Sequence, residues 1–566
     1  MTDEQHAREY GQHLVEEVLK GKMTRRQLLV RASVFGLSAT VIGNLLAACG
    51  SSGGGTASTP SASASAPAVV TGGSLKAVIP PPLKTLDPVT IYDQGGIVLV
   101  YQICEYLIDL SNTNALIPKL ALSWAPNQKG DVWTFKLRPG VKFNNGQPFE
   151  AADVVATMDI LSNPKSGSGA AAALAGILSP GDTVAVDPTT VQFNLAKPFA
   201  DFPYLVCSAS YNTAMLPRNY SGNFLKNPVG TGPWTIKSYT VNQGCTLAKN
   251  PTYWGKDAQG RQLPYLDSVV YSFVTDASAA NLQLQAHTVD VQVQTIFQGG
   301  QSVLNDPNLK VDVYPSTGIR ELAMNTTKAP WTDARVRQAV AYCLDRVAIN
   351  KALYGGRSNL GYDSLWEPTV FPGWPAPAPR AQDYNKAKSL LSAAGHPSGL
   401  DVTLTVANYL ENPAYAQLIQ AQCKPAGINV KINEISYNAY YAGTQTGGAS
   451  GYGNTPWLNA SMDITEWGSR PTPGQYAQAM LLPTSAWNSS NWKNQQFTSL
   501  FQQYESTADM ATRTNLATQL STLMQNETPV VIAFYISQLR SQWKNVWNVQ
   551  GPGSFYFNVS QAYLTK

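Results

Sequence analysis

Short stretches of the chain alternate apolar and polar residues with a period of two. In "DVWTFKLRPGVKF" (131–143), Trp133, Phe135 and Leu137 alternate with Thr134, Lys136 and Arg138, the chain turns at Pro139-Gly140, and Val141 and Phe143 follow. This predicts a half-buried hairpin. "TTVQFNLAKPF" (189–199) alternates in the same way through Val191, Phe193 and Leu195, and "SLKAVIPPPLKTLDP" (74–88) predicts a short apolar strand broken by prolines. A helical period takes over in "DARVRQAVAYCLDRVAINKAL" (333–353), where Val336, Val340, Cys343 and Val347 recur on one face and Asp333 supplies an N-cap. "NKAKSLLSAAGH" (385–396) predicts a helix stopped by Gly395, "LDVTLTVAN" (400–408) the strand after it, and "GINVKINEI" (427–435) another strand behind a helix. Strands and helices alternate through the second half, so the fold class is α/β with mixed sheets, and no internal repeat is present.

A different pattern fills the first 73 residues. Ala32 to Ala48 is an uncharged, largely apolar segment preceded by Arg25, Arg26 and Arg31, the build of an export leader. It falls short of the roughly 20 apolar residues that cross a bilayer, and Ser33, Ser38, Thr40 and Asn44 dilute it. The pair in "TRRQLLV" (24–30) resembles a twin-arginine (Tat) address. "LLAAC" then ends at Cys49 and resembles a bacterial lipobox, which implies acylation of that cysteine. Two acyl chains would hold a soluble body on a membrane, at about 0.8 kcal/mol per buried methylene. Gly50 to Gly73 is almost wholly Gly, Ser, Ala, Thr and Pro, a composition that buries no core and acts as a flexible tether. The expected division is therefore a cleaved signal (1–48), a lipidated Cys49 with its tether (49–73), and a body anchored outside the cytoplasmic membrane.

That body, about 490 residues, exceeds one compact core and suggests at least two lobes. With 40 Lys+Arg against 36 Asp+Glu, its charge is too balanced for a nucleic-acid binder. Charged residues make up only 13% of the chain while Trp (13) and Tyr (27) are plentiful, which suits clefts that hold neutral or peptide-like solutes by stacking and hydrogen bonding. Cys104, Cys207, Cys245, Cys343 and Cys423 remain besides Cys49. Disulfides are permitted outside the membrane, but an odd number leaves at least one free thiol in a monomer, and Cys343 reads as a buried small hydrophobe.

Seven segments in register resemble one family, the extracytoplasmic solute-binding proteins of ABC importers of the dipeptide and oligopeptide-binding type (family 5). They are "TLDP" (85–88), "PKLALSW" (118–124), "WTFKLRPGVKFNNGQPFEAADVV" (133–155), "NPVGTGPW" (227–234), "NPTYWG" (250–255), "LAMNTTKAPWTDARVRQAVAYCLDR" (322–346) and "KAKSLLSAAG" (386–395). The resemblance implies a large, two-lobed, hinged periplasmic-binding-protein fold of type II with an extra subdomain. Residues 74–274 plus 540–566 are expected to form the first lobe and 275–539 the second, with "FYFNVSQAYL" (555–564) packing back into the first. It also implies a monomer that closes over solute in an interlobe cleft and presents it to an ABC permease and ATPase, with no cofactor and no metal.

The same resemblance directs attention to "ITEWGSRPTPGQY" (464–476). In peptide-binding members a tryptophan leads a loop whose aspartate pairs with the peptide amino terminus. Trp467 fits the first role, but Arg470 stands in the loop where an acid is expected. An arginine offers five donors and no acceptor, which favours a carboxylate, a phosphate or sugar hydroxyls over an ammonium. A peptide or peptide-like solute, with an oligosaccharide or acidic conjugate as the alternative, is the expected cargo. Glu466 would serve an ammonium if the loop is shifted, and a structural salt bridge is the competing role for Arg470. Further candidates are Tyr92, Asp93 and Gln94 after "LDP", Tyr211 and Asn212 in "SASYNTAM", and Asn325 in "LAMNT", for which a turn-forming role competes.

Enzymatic function finds no support in the motifs. Of four histidines, His6 and His13 belong to the leader, while His287 and His396 sit at ordinary helix ends. HExxH, GxSxG and GxxxxGK[ST] are all absent, and Pro233 removes an N–H that a phosphate cradle in "GTGPW" would need.

Overall fold

The computed structural model describes residues 67–83, 86–111, 114–371, 374, 377–443, 455–551 and 557–566. The export segment, Cys49 and the tether as far as residue 66 lie outside them.

Three larger sheets organise the body. The first has seven strands in the order 309–314, 538–543, 291–292, 74–79, 268–273, 244–249, 234–240, with the Ser74–Ile79 strand parallel to both its neighbours. A four-stranded antiparallel sheet (121–126, 132–137, 190–194, 183–187) forms an extra subdomain beside it and shares its core. The third sheet has six strands in the order 359–360, 530–535, 319–324, 462–467, 400–408, 428–436, the last three mutually parallel and the rest antiparallel. Mixed sheets in two lobes are the fold class expected.

The third sheet is covered on both faces, which explains why "VVIAFY" (530–535) is buried at every position rather than alternating. Val531 and Ala533 pack with Leu322 and Ile464 under the helices Ala334–Cys343 and Asn412–Cys423. Val530, Ile532 and Tyr535 pack with Trp467 under Pro473–Met480, Gln495–Ser506 and Met510–Glu527. Phe557, Val559 and Ala562 pack into the core shared by the seven-stranded and four-stranded sheets.

Local patterns and outcomes differ at three places. Val132–Leu137 is a strand with Trp133, Phe135 and Leu137 buried, but its partners are 121–126 and 190–194, and the residues beyond Pro139-Gly140 make only an isolated bridge, Lys142 with Pro148. The helix capped by Asp333 ends at Cys343, because Asp345 caps a second helix, Arg346–Tyr354, whose new phase leaves Val347 63% exposed. Sheet membership also moves the first lobe crossing from 274 to 315–318, since strands 291–292 and 309–314 hydrogen-bond within the first sheet, and puts the return at 536–537. The expected boundary at 274 came from the family resemblance alone.

All five described cysteines are buried free thiols, and burial pushes those of Cys207 and Cys245 up to about 12.

Candidate functional site

Both lobe crossings leave the third sheet at one end. Ile319, just after the first crossing, pairs with Tyr535, just before the return, and with Trp467 at the carboxyl end of its strand. Asn408 and Ser436 end the two strands parallel to it. The carboxyl ends of the parallel strands thus face the first lobe, which is where open α/β sheets hold ligands.

The loop after Trp467 is fastened to the first crossing. Thr317 Oγ1 accepts from Arg470 N at 2.8 Å and donates to Arg470 O at 2.7 Å, and Tyr476 OH donates to Thr317 O (2.5 Å) and Gly468 O (2.9 Å). A first-lobe residue reaches the same loop, Asn114 Nδ2 donating to Pro471 O at 2.6 Å. With its backbone held, Arg470 extends a half-buried side chain whose guanidinium makes no hydrogen bond or ion pair among the described residues. No structural salt bridge occupies it there.

Across the cleft, burial raises the Tyr211 phenol above its ordinary value, Arg470 pulls it down and Asp93 pushes it up. Tyr211, Asp93 and Arg470 therefore share one electrostatic neighbourhood spanning both lobes. Asp93 is also the N-cap of the Gln94–Ile103 helix, its Oδ1 accepting from Gly96 N at 2.8 Å. Gly95 lets that helix approach the chain closely, because a Cβ there would lie 2.2 Å from Pro80 O. Tyr92, one residue before the cap, is 51% exposed at the cleft-side loop.

Three candidates are taken up in other contacts, two bracing the site and one lying away from it. Asn212 is buried and its Nδ2 donates to the carbonyls of Pro88, Val89 and Ile91 at 2.9–3.1 Å, which fixes the loop carrying Tyr92 and Asp93. Trp467 is 5% exposed and donates Nε1 to Glu321 Oε2 at 2.5 Å beneath the loop. Burial, and then the charge of Asp463, hold the Glu321 carboxyl well above the usual carboxylate range. Asn325 stands at the other end of its strand, about 20 Å from the crossing at roughly 3.3 Å per residue. Its Oδ1 accepts from Thr327 N and Oγ1, a turn-forming role.

The family model for bacterial extracellular solute-binding proteins, family 5, middle region, matches residues 115–489. The chain belongs to that family. The glutathione-binding protein GsiB of Shigella dysenteriae is 26% identical over 464 residues, covering 79% of this chain and 85% of the relative, and that of Escherichia coli K12 matches equally. Among solved structures, the open unliganded form of MppA, a periplasmic murein tripeptide binding protein, superposes with a TM-score of 0.74 at 23% identity, covering 88% of this chain and 99% of the other. DppA from Helicobacter pylori, in complex with the peptide STSA, gives 0.65 at 24% identity over the same shares. The two-lobed architecture of this family-5 chain is thus shared with peptide-binding structures.

Sequence reasoning passed over one part of the family-5 cleft edge, a row of tyrosines. Tyr409 and Tyr437, which follow the ends of two parallel strands, meet at a tilt of 44° with ring centroids 4.5 Å apart, and Tyr437 meets Tyr441 edge to face at 5.0 Å. Treating aromatics as core filling hid them, although "SYNAYY" (436–441) beside a strand end was a usable signal.

Proposed function

We propose that this chain is the lipid-anchored solute receptor of an ABC importer, enclosing a peptide or peptide-like solute between its lobes with Arg470 on an acidic group. The observation that carries the reading is the guanidinium of Arg470, which has no hydrogen-bond or ion-pair partner among the described residues, on a loop tied to the lobe crossing and within the electrostatic reach of Tyr211 of the first lobe. A solute bridging the two sides favours the closed form by whatever affinity it gains there, and that difference is the signal a permease reads. Tyr92, Asp93 and Gln94 are the first-lobe contacts in this reading. Support for a peptide-like cargo comes from similarity to glutathione-binding relatives and to structures of peptide-binding proteins.

Export through the twin-arginine leader, acylation of Cys49 and a tether to Gly73 place the receptor at the outer face of the cytoplasmic membrane in this account. No helix among the described residues is long and apolar enough to cross a membrane, so transport needs separate permease and ATPase subunits. The receptor acts as a monomer and makes no covalent change to its cargo. Because Arg470 replaces an acid in the loop, an oligosaccharide or an acidic conjugate is the second reading. Mass spectrometry of solute co-purified from the native host, followed by thermal-shift screening, tests the choice. Stabilisation by peptides supports the first reading, and stabilisation by sugars alone would overturn it.

A further inference from the structure

We propose that the tyrosine row at the carboxyl ends of strands 400–408 and 428–436, with Glu466 behind it, is a subsite for an alkylammonium group of the solute. The inference rests on the reading of this chain as a solute receptor and adds a second, oppositely charged anchor to Arg470.

Arg320 and Glu466 are directly paired residues of adjacent strands, so their side chains share one face of the sheet. Arg320, however, is committed to Glu411, with Nη2 to Oε1 at 2.7 Å and both side chains more than nine-tenths buried. Tyr354 OH donates to the same Glu411 oxygen. Glu466 accepts from Asn412 Nδ2 at Oε2, 3.0 Å away, and its only other neighbour of hydrogen-bonding kind among the described residues is the Tyr441 phenol, so no cation is paired with it there. Two carboxylates against one guanidinium leave one negative charge in a partly desolvated corner. A cation is the charge that would complement this corner.

The tyrosines supply the surface that selects the cation. Burial and then Glu466 push the Tyr409, Tyr437 and Tyr441 phenols above their ordinary value, so all three rings lie within the field of that carboxylate. Tyr409 is 39% and Tyr437 40% exposed, which leaves ring surface open to a solute. A groove of about 280 Å³, lined by Asn408, Glu434, Ile435, Ser436 and Tyr437, runs beside them and adds a further carboxylate. Ring faces attract cations, and a cation wrapped in methyl groups gives up less hydration on meeting them than sodium does. Position completes the case: Glu466 precedes Arg470 by four residues, so their Cα atoms are at most about 14 Å apart. A small solute carrying an acid and an alkylated or lysine-like ammonium spans that distance.

The test is a calorimetric titration of the intact body with tetramethylammonium chloride, against sodium chloride at equal ionic strength. Saturable binding is expected, on the order of millimolar. Glu466→Gln, which keeps the Asn412 hydrogen bond, and Tyr437→Ala should each weaken it about tenfold or more, while Tyr437→Phe keeps the ring and the binding. Absence of saturable binding by the folded wild type, or equal binding by Glu466→Gln, would overturn the subsite. If solute binding still depended on Arg470, the receptor reading would stand without it.

Discussion

Asp201 of the first lobe and Arg513 of the second meet at 2.7 Å with both side chains more than nine-tenths buried. The Arg513 guanidinium also lies over the Tyr504 ring at 4.4 Å. Breaking a fully buried pair costs about 3–5 kcal/mol because one charge is left unpaired, but here the lobes relieve that cost by separating. Asp201→Asn should therefore act on closure. It is expected to lower solute affinity by about tenfold or more and to enlarge the scattering radius in the presence of solute. Asp201→Asn combined with Arg513→Gln should recover part of the loss in the same measurements.

Glu505 adds a pH dependence to the same contact. Its backbone carbonyl accepts from Ala200 N at 2.9 Å, and burial, followed by the charge of Asp201, raises its carboxyl to about 7, while Lys197, Arg513 and Gln478 act in the opposite sense. A form that keeps this contact thus binds more protons than one with an ordinary carboxyl, so the contact is favoured as pH falls through 7 and weakens as it rises. Solute affinity should drop about three- to tenfold between pH 6 and pH 8, and Glu505→Gln should flatten the profile in calorimetry.

Trp467→Phe removes the donor to Glu321 while keeping most of the ring volume. Leaving a buried polar group unsatisfied costs about 1–3 kcal/mol, to be read from urea unfolding of the second lobe. A direct cleft contact for Trp467 would instead show as lost affinity with unchanged stability.

Asn212→Ala should release the loop that Asn212 binds through three carbonyls. Faster amide exchange across 86–93 and weaker solute binding are expected, with global stability reduced by about 1–3 kcal/mol.

Strands with one solvated face were legible because the sequence records which side is wet: Trp133, Phe135 and Leu137 are buried as their alternation predicts. Helix starts were legible where Asp333 caps, but the break at Leu344 was not, because Val336, Val340 and Val347 keep one period through it. Lobe boundaries were obscured since 291–292 and 309–314 carry no local mark of which sheet they join. At the site, Arg470 stood out as a wrong-signed residue in a recognisable loop, and Tyr211 and Asp93 do share its field. Trp467, Asn212 and Asn325 misled because polar and aromatic residues that brace a loop have the same composition as those that touch a ligand. The partnership of Glu466 with Tyr409, Tyr437 and Tyr441 depends on register between distant strands, which no single segment encodes.

The central claim is that solute is gripped between the lobes through an acid on Arg470, without chemical change. Calorimetric titration of di- and tripeptides with free or amidated carboxyl termini, into wild type and Arg470→Ala, addresses it most directly, with the recovered peptides weighed by mass spectrometry. The account predicts tight binding of free acids, amides weaker by about tenfold or more, loss of that difference in Arg470→Ala, and unaltered masses. Equal binding of acids and amides by the wild type, or a cleaved peptide in the recovered pool, would contradict it.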